Sequence, residues 1–172
     1  MSPMEGFLGF GSNQGDRAAA LRAGLRRLER RGVRILAVSS VFETEPIGGR
    51  EPDRFLNMVA RVRFDGSPES LLARTQEVER LAVRSRGSRN DPRPLDIDLL
   101  LFPGHERACP PPILPHPRMW LRRFVLVPLA ELAPDQRNPL TGRTVLEELE
   151  GLPDGEVHPY NPGLRVQERS GG

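Results

Sequence analysis

The feature that most restricts the fold of this chain is an apolar run interrupted by two carboxylates, Leu95-Asp96-Ile97-Asp98-Leu99-Leu100-Leu101-Phe102. A short run of this composition predicts a buried β-strand. Side chains alternate between the two faces of a strand, so the apolar residues at positions 95, 97, 99 and 101 should face one side. Asp96 and Asp98 should then share the other side. The fold must therefore contain a sheet with one covered face and one face that is open around two acidic groups.

Upstream of this run, strand-like and helix-like patterns alternate. The predicted elements are a strand at Gly6 to Gly11, a helix from Asp16 to Gly32, a strand at Val33 to Val41, a strand at Phe55 to Phe64, and a helix from Ser67 to about Arg84. With the acidic strand at the end, the order is βαββαβ. This is the ferredoxin-like α+β arrangement, in which two helices cover one face of a four-stranded antiparallel sheet.

The part of the chain beyond Phe102 predicts additions to this core. Residues 103–117 are rich in proline and should be irregular, whereas 120–132 and 144–149 should form helices on the other face of the sheet. The result would be a three-layer α-β-α domain over residues 1–151. Residues 152–172 form a Gly- and Pro-rich tail that we expect to be mobile.

Asp96 and Asp98 are candidate ligands for a divalent cation. Their Cα atoms should lie about 7 Å apart, given a rise of about 3.3 Å per residue, so both carboxylates can reach the same ions. Oxygen ligands favour Mg²⁺. The alternative is that both are ordinary surface residues on the solvated face of an amphipathic strand, although aspartate is unfavourable within strands.

Four arginines stand just before the acidic strand, Arg84, Arg86, Arg89 and Arg93. Guanidinium groups beside metal-binding carboxylates suit transfer of a phosphoryl-type group, because they neutralise the charge that develops on phosphate. The chain has no P-loop motif and no protein-kinase motif. The competing interpretation of the arginines is a nucleic-acid patch, which the neighbouring carboxylates and the aromatic content of 5% disfavour.

Global composition excludes several other classes. A formal net charge of +2 does not indicate a general polyanion binder, and Cys109 is the only cysteine, so no intramolecular disulfide can form. The N-terminus lacks a secretory pattern, and no apolar run is long enough to span a bilayer. We therefore expect a cytoplasmic protein without a membrane partner.

Seven segments of the chain carry a recognisable pattern when they are taken in order. They are Gly11-Ser12-Asn13, residues 40–48, Phe55-Leu56-Asn57, Gln76 with Glu79, residues 92–98, Pro115-His116-Pro117 and residues 122–129. Together they resemble the hydroxymethyl-dihydropterin pyrophosphokinases of folate biosynthesis, and the resemblance runs from about Leu8 to about Leu149. It implies transfer of diphosphate from ATP to the hydroxymethyl group of 6-hydroxymethyl-7,8-dihydropterin, with AMP as the second product.

The resemblance also implies roles for individual residues. Asp96 and Asp98 would hold two Mg²⁺ ions and would be the central catalytic residues, assisted by Arg93, Arg84 and Arg86. ATP would be contacted by Gln76, Glu79, Arg84, Arg86, Arg93, Leu99, His116 and Arg122.

The pterin pocket that the resemblance implies consists of Thr44, Pro46, Ile47, Phe55, Asn57 and Phe124. Two aromatic rings can sandwich a flat heterocycle, while the amide of Asn57 contacts its polar edge. This chain departs from the family pattern at Asn90, where a loop tryptophan is frequent, and at Pro111, where some members have an arginine.

These expectations describe an enzyme with small-molecule substrates, no nucleic-acid partner and a monomeric state. The alternatives are a ferredoxin-like RNA-binding module and a nucleotide-sensing domain without turnover. Replacing Asp98 with alanine separates them, because turnover requires this carboxylate whereas RNA binding does not.

Overall fold

A computed structural model of the chain describes residues 2–44, 54–84 and 94–160. Its elements, in chain order, are β1 (Met4–Ser12), α1 (Arg17–Glu29), β2 (Val33–Val38), β3 (Phe42–Thr44), β4 (Phe55–Phe64), α2 (Pro68–Arg84), β5 (Asp96–Leu101), a 3₁₀ helix (Met119–Leu121), α3 (Arg123–Leu132), α4 (Val145–Glu150) and β6 (Val157–Pro159).

The strands of the described residues form one antiparallel sheet in the order β5-β1-β4-β3-β6, and β2 also pairs with β4. β2 pairs with the second half of β4 and β3 with its beginning. The pair thus occupies the place of the single second strand that the sequence predicted. Apart from this division and the addition of β6, the predicted ferredoxin-like α+β arrangement is confirmed.

Ser39 lies in the break between β2 and β3. Its backbone N–H donates to the carbonyl of Val59 at 2.8 Å, and its side-chain oxygen accepts from the N–H of Val59 at 2.9 Å. The buried hydroxyl thus keeps β4 hydrogen-bonded where the partner strand is interrupted.

The residues at which the sequence predicted helices to begin or end lie at the ends of α1 and at the start of α2. The side chain of Asp16 accepts from the backbone N–H of Ala19 at 3.0 Å, which caps α1. Gly32 follows this helix with φ of +80°, a conformation that favours glycine. The hydroxyl of Ser67 accepts from the N–H of Ser70 at 3.1 Å and so serves the start of α2.

The sheet carries an apolar core on each face, which confirms the three-layer arrangement. The first core lies between the sheet and helices α1 and α2, and it contains Leu8, Leu25, Val78 and Ile97. The second lies between the sheet and helices α3 and α4, and it contains Phe7, Val59, Leu126 and Val145.

A bulge in β5 changes the predicted alternation of its side chains. Phe7 of β1 pairs with Leu101, but its neighbour Leu8 pairs with Leu99, so Leu100 is an extra residue. Leu100 and Leu101 both join the second core, whereas Ile97 and Leu99 belong to the first. The prediction that Leu101 faces the same side as Ile97 and Leu99 is therefore wrong.

The C-terminal segment contributes a strand to the sheet, which the sequence did not indicate. β6 pairs with β3, and the N–H of Tyr160 donates to the carbonyl of Val41 at 2.8 Å. Tyr160 also packs against the first core. The sheet thus uses part of the segment 152–172 that we expected to be a mobile tail.

None of the helices in the described ranges combines the length and the apolar character needed to cross a bilayer.

Candidate active site

Asp96 and Asp98 share one face of β5, as the sequence predicted. They lie opposite Gly11 and Gly9 of β1, respectively, in the antiparallel register. Ile97 between them is buried in the first core. Asp96 is half-buried and Asp98 is exposed. The carboxylates therefore lie beside two residues of the neighbouring strand that have no side chains.

This glycine pair forms the floor of a cavity of about 430 Å³, here called the central cavity. Gly9 and Gly11 lie between β5 on one side and Val59 and Asn57 of β4 on the other. A Cβ atom on Gly11 would lie 3.2 Å from Oδ1 of Asn57 and 3.9 Å from the Phe55 ring. The space above the floor thus exists because β1 has glycine at alternate positions.

The walls of the central cavity bring together residues of β3, β4, β5 and α3, as well as one residue after β1 and one before α3. They comprise Asn13, Thr44, Phe55, Asn57, Met58, Val59, Asp96, Asp98, Leu100, Arg122, Phe124 and Val125. Seven residues that the sequence singled out are in this set: Thr44, Phe55, Asn57, Asp96, Asp98, Arg122 and Phe124. The residues assigned to the pterin and to the metal, as far as they are described, thus meet in one space.

The polar wall is set by a hydrogen bond between two buried side chains. Nδ2 of Asn57 donates to the hydroxyl oxygen of Thr44 at 2.8 Å, and each residue is 6% exposed. This bond fixes the orientation of the amide, so that Oδ1 is directed toward the floor at Gly11. The cavity therefore offers an apolar interior with an amide held at one edge.

The opposite wall comes from the start of α3. The guanidinium of Arg122 lies over the ring of Phe124, 5.5 Å from its centroid, and both side chains line the cavity. The cation–π contact restricts the ring and holds a positive charge against it, in the cavity that Asp96 and Asp98 also line. One residue therefore serves both the aromatic wall and the charge of the site.

His116 lies close enough to this charged group to interact with it. Its backbone N–H donates to the carbonyl of Leu100 at 2.7 Å, and its Nδ1 accepts from the N–H of Arg118 at 3.1 Å. Burial lowers the pKa of His116, the carboxylate of Asp98 opposes this shift, and the charges of Arg122 and Arg118 add to it. A neutral ring with Nδ1 as acceptor carries its proton on Nε2, which leaves a hydrogen-bond donor for a ligand.

A second cavity of about 340 Å³ lies along α2 and is lined by Gln76, Glu79, Arg80 and Val83. Gln76 and Glu79 are the two residues of this helix that the sequence assigned to ATP. Oε1 of Glu79 also accepts from the backbone N–H of Ile97 at 2.8 Å. Glu79 therefore joins α2 to the edge strand between the two aspartates, a contact that the sequence did not indicate.

Leu99 cannot contribute its side chain to a ligand, since it is 4% exposed and belongs to the first core. Backbone groups two residues apart on a strand point the same way. The N–H of Leu99 therefore faces the outer edge of β5, as the N–H of Ile97 does. Any contact of Leu99 with a nucleotide would be made through the backbone.

Several predicted residues are outside the described part of the chain. Pro46, Ile47, Arg86 and Arg93, as well as Asn90, lie outside the described residues, and Arg84 is described only as the last residue of α2. Within residues 2–44, 54–84 and 94–160, no group of three or more His, Cys, Asp or Glu side chains could hold a metal ion.

Sequence reasoning missed the structural importance of Gly9, Gly11 and Asn13, although all three line the central cavity. The available signal was glycine at alternate positions inside a predicted strand, which often marks a close approach of a ligand.

Comparison with known proteins supports the family resemblance that the sequence motifs indicated. Residues 7–134 match the sequence profile of the family described as 7,8-dihydro-6-hydroxymethylpterin-pyrophosphokinase (HPPK). The 2-amino-4-hydroxy-6-hydroxymethyldihydropteridine pyrophosphokinase of Porphyromonas gingivalis is 42% identical over 132 residues, which cover 74% of this chain and 90% of that protein. The Bacillus subtilis enzyme of the same name is 40% identical over 127 residues, which cover 73% and 76%.

The fold is also similar to that of a solved chain, the Plasmodium falciparum HPPK-DHPS wild type with STZ-DHP. The TM-score is 0.70 at 13% sequence identity, and the match covers 87% of this chain and 43% of that one. The chain thus spans less than half the length of that solved protein. At this level of identity the likeness supports the fold.

Proposed function

Because the chain belongs to the 7,8-dihydro-6-hydroxymethylpterin-pyrophosphokinase family, we propose that the central cavity is the place where it transfers diphosphate from ATP to 6-hydroxymethyl-7,8-dihydropterin. The enzyme is a 2-amino-4-hydroxy-6-hydroxymethyldihydropteridine pyrophosphokinase of folate synthesis, and ATP is its co-substrate. The observation that carries the assignment of the site is that an aromatic, amide-edged cavity and a pair of carboxylates share one floor.

The pterin ring would lie above Gly9 and Gly11, between the rings of Phe55 and Phe124. A flat heterocycle gains apolar contact and stacking from such a sandwich. Its donor and acceptor edge would meet the amide of Asn57, which Thr44 already orients. This placement directs the hydroxymethyl group toward β5.

Asp96 and Asp98 would hold the Mg²⁺ that this reaction uses, and the family resemblance implies two ions. The donor set fits, since both residues line the cavity and offer only carboxylate oxygens, which are hard ligands. Bound Mg²⁺ would neutralise phosphate charge and lower the pKa of the substrate hydroxyl.

The polyphosphate would extend from the carboxylates toward Arg122 and His116. The guanidinium of Arg122 and the Nε2 proton of His116 are donors that suit phosphate oxygens. The nucleoside would lie along the outer edge of β5, between the backbone of Leu99 and the side chains of Gln76 and Glu79. Arg84, Arg86 and Arg93 complete the proposed set of cationic residues.

In the reaction, the hydroxyl oxygen attacks the β-phosphorus, the bond between that phosphorus and the α,β-bridging oxygen breaks, and AMP leaves with the oxygen. The hydroxyl proton is released. Catalysis then consists of positioning and charge neutralisation, and no protein side chain forms a covalent intermediate. The family assignment does not support the RNA-binding or the non-catalytic nucleotide-sensing alternative.

The decisive experiment is to incubate the protein with ATP, Mg²⁺ and hydroxymethyl-dihydropterin and to identify the products. AMP and the pterin diphosphate are expected, whereas ADP or unchanged ATP would contradict the proposal. Asp96→Ala and Asp98→Ala should each reduce turnover by about 100-fold or more, while Asp135→Ala, which removes an exposed carboxylate far along the chain, should not.

We further infer that the protein works in the cytoplasm on small molecules alone, without nucleic acid. An oligonucleotide-binding assay at low salt tests the last point. Tight RNA binding by the unmodified protein that persists in Asp98→Ala would contradict this point, because the proposed reaction does not involve RNA.

A further inference from the structure

Arg17 is the first residue of α1 and makes contacts in three directions. Its Nη2 lies 2.8 Å from Oε2 of Glu43, and its Nη1 donates to the backbone carbonyl of Arg54 at 2.6 Å. Its guanidinium carbon also lies 5.5 Å from the centroid of the Tyr160 ring. The side chain is only 23% exposed, so these contacts are largely shielded from water.

Two of these partners directly precede residues that line the central cavity. Glu43 directly precedes Thr44 in β3, and Arg54 directly precedes Phe55 in β4. Thr44 and Phe55 are the last residue pair between these strands, and both line the cavity. Arg17 itself is not a cavity residue, and therefore it can act on the site only through these neighbours.

The strand ends at this position are joined by a short backbone pairing and by the hydrogen bond between Asn57 and Thr44. β3 is only three residues long and pairs with β4 through Phe42, Glu43 and Thr44. Glu43 points away from the cavity, since side chains alternate along β3 and Thr44 faces the cavity. An ion pair on the far side of the sheet can thus fix the strand without occupying the pocket.

The geometry suits arginine rather than any other cation. Two different nitrogens of the fork bind two different strands, while the flat face lies against an aromatic ring. Glu43 is in addition 3.5 Å from Nη1 of Arg54, so it links both sides of the junction. Tyr160 directly follows β6, the strand that pairs with β3.

From this arrangement we propose that Arg17 is a positioning residue for the pterin pocket. It holds the end of β3 and the start of β4 in register, and thereby sets the spacing between Thr44, Asn57 and Phe55. The inference rests on the proposed function, because it assumes that the central cavity binds the pterin. It assigns no contact between Arg17 and either substrate.

The test compares binding of the two substrates in matched variants. Arg17→Met keeps an unbranched apolar stem but removes the guanidinium with its charge and donors, and Arg22→Met makes the same change at an exposed position of the same helix. Binding of hydroxymethyl-dihydropterin and of a non-hydrolysable ATP analogue is measured by calorimetry, together with KM and kcat.

Arg17→Met should weaken pterin binding by about tenfold or more, leave binding of the ATP analogue unchanged, and raise KM for the pterin more than it lowers kcat. Glu43→Gln should have a smaller effect, because it breaks only one of the three contacts of Arg17. The loss in the double variant should be less than the sum of the two single losses, since both changes break the Arg17–Glu43 ion pair. Arg17→Lys should recover part of the affinity because it retains the ion pair.

Unchanged pterin affinity in Arg17→Met, or an equal loss of affinity for both substrates, would overturn the inference. If Arg17→Met does not fold, the same comparison in Arg17→Lys and Glu43→Gln decides, with circular dichroism as the folding control. Failure of the unmodified protein to bind the pterin would overturn the proposed function as well, whereas normal binding with insensitive variants would overturn only the role of Arg17.

Discussion

Thr44 and Asn57 satisfy each other's polar groups inside a largely apolar wall. Removing the acceptor while keeping the shape, as in Thr44→Val, would leave the Asn57 amide with a buried, unpaired N–H group. Such a group costs about 1–3 kcal/mol of folding stability. The unpaired amide can also rotate away from the orientation that the Thr44 hydroxyl sets. We therefore expect pterin affinity to fall by about tenfold, as measured by titration calorimetry.

Thr44→Ser is the matched control for this prediction, because it keeps the hydroxyl and removes only a methyl group. It should bind the pterin nearly as well as the unmodified protein. If Thr44→Ser loses as much affinity as Thr44→Val, packing of the methyl group and not amide orientation governs this wall.

His116 has a pKa that reports on the charges of the site. Burial lowers this pKa below the ordinary value of 6.5, and Asp98 limits the shift. In the metal-free protein, Asp98→Asn should therefore lower the pKa of His116 further, whereas Arg122→Met should raise it. Proton NMR of the imidazole as a function of pH measures both effects.

The sign of the linked effect on stability follows from the same shift. The folded protein binds a proton at His116 less readily than the unfolded chain, so unfolding takes up a proton in the pH range between the two pKa values. The contribution of His116 to stability is thus complete above pH 6.5 and is lost as the pH falls through the folded pKa.

In the NMR titration, a rise of the His116 pKa in Asp98→Asn would show that the carboxylate does not act on the ring as described.

At the scale of elements, β1 shapes the site because Gly9 and Gly11 carry no side chains. A Cβ at position 11 would lie 3.2 Å from Oδ1 of Asn57, whereas one at position 9 would lie 3.3 Å from a terminal methyl of Leu100. Leu100 can move aside more readily than the hydrogen-bonded amide. Gly11→Ala should therefore raise KM for the pterin by about tenfold and Gly9→Ala by less, with KM for ATP unchanged in both.

Steady-state kinetics with each substrate varied in turn tests this order. Equal effects of the two substitutions would mean that general filling of the floor, and not displacement of Asn57, limits binding.

The contact between α2 and β5 leads to a prediction about Glu79. We expect its hydrogen bond to β5 to matter more for the reaction than its negative charge. Glu79→Ala would remove the acceptor of the Ile97 N–H group, whereas Glu79→Gln keeps an oxygen there. A hydrogen bond to a charged acceptor contributes about 1.5–3 kcal/mol. Amide exchange at Ile97 should thus accelerate about tenfold or more in Glu79→Ala, and kcat should fall more in that variant than in Glu79→Gln.

Hydrogen exchange followed by NMR, with kinetics on the same samples, measures this effect. Equal losses of kcat in the two variants would indicate that the negative charge of Glu79, and not its position beside the strand, matters for the reaction.

These elements also show what a sequence can predict. The face shared by Asp96 and Asp98 follows from strand periodicity, and Asp16 and Ser67 mark helix starts through local hydrogen bonds, so each is encoded within a few residues. The bulge at Leu100 is not, because it depends on how β5 is matched to β1. The pairing of β6 with β3 joins segments more than a hundred residues apart, and no local pattern indicates it.

The glycine floor is an intermediate case. The alternation of Gly9 and Gly11 is visible in the sequence, but its meaning depends on which residues lie across from them, namely Asn57 on one side and Asp96 and Asp98 on the other. Family resemblance supplied several residues of the cavity, and only the sheet register explains why they face one space.

At the scale of the whole molecule, the proposed active site lies at the end of the sheet where β1, β3, β4 and β5 meet α3. The second core supports this region directly, because Val59, Leu100 and Val125 belong both to the core and to the cavity lining. The packing that stabilises the third layer thus also holds the walls of the site in place.

The exposed apolar side chains of the protein bear on its assembly state. In the part of the chain that the structure describes, the large apolar side chains that are most exposed are Leu121 at 77% and Leu140 at 80%. Single exposed apolar residues are common on monomeric proteins and need no partner. We therefore expect a monomer whose activity per chain does not change on dilution over about 100-fold.

Light scattering coupled to gel filtration should give a mass near 19.2 kDa. Activity is measured over the same range of protein concentration, with both substrates saturating. A fall in turnover per chain on dilution would mean that a second copy completes or stabilises the site, because a self-contained cavity loses nothing when its neighbours are removed.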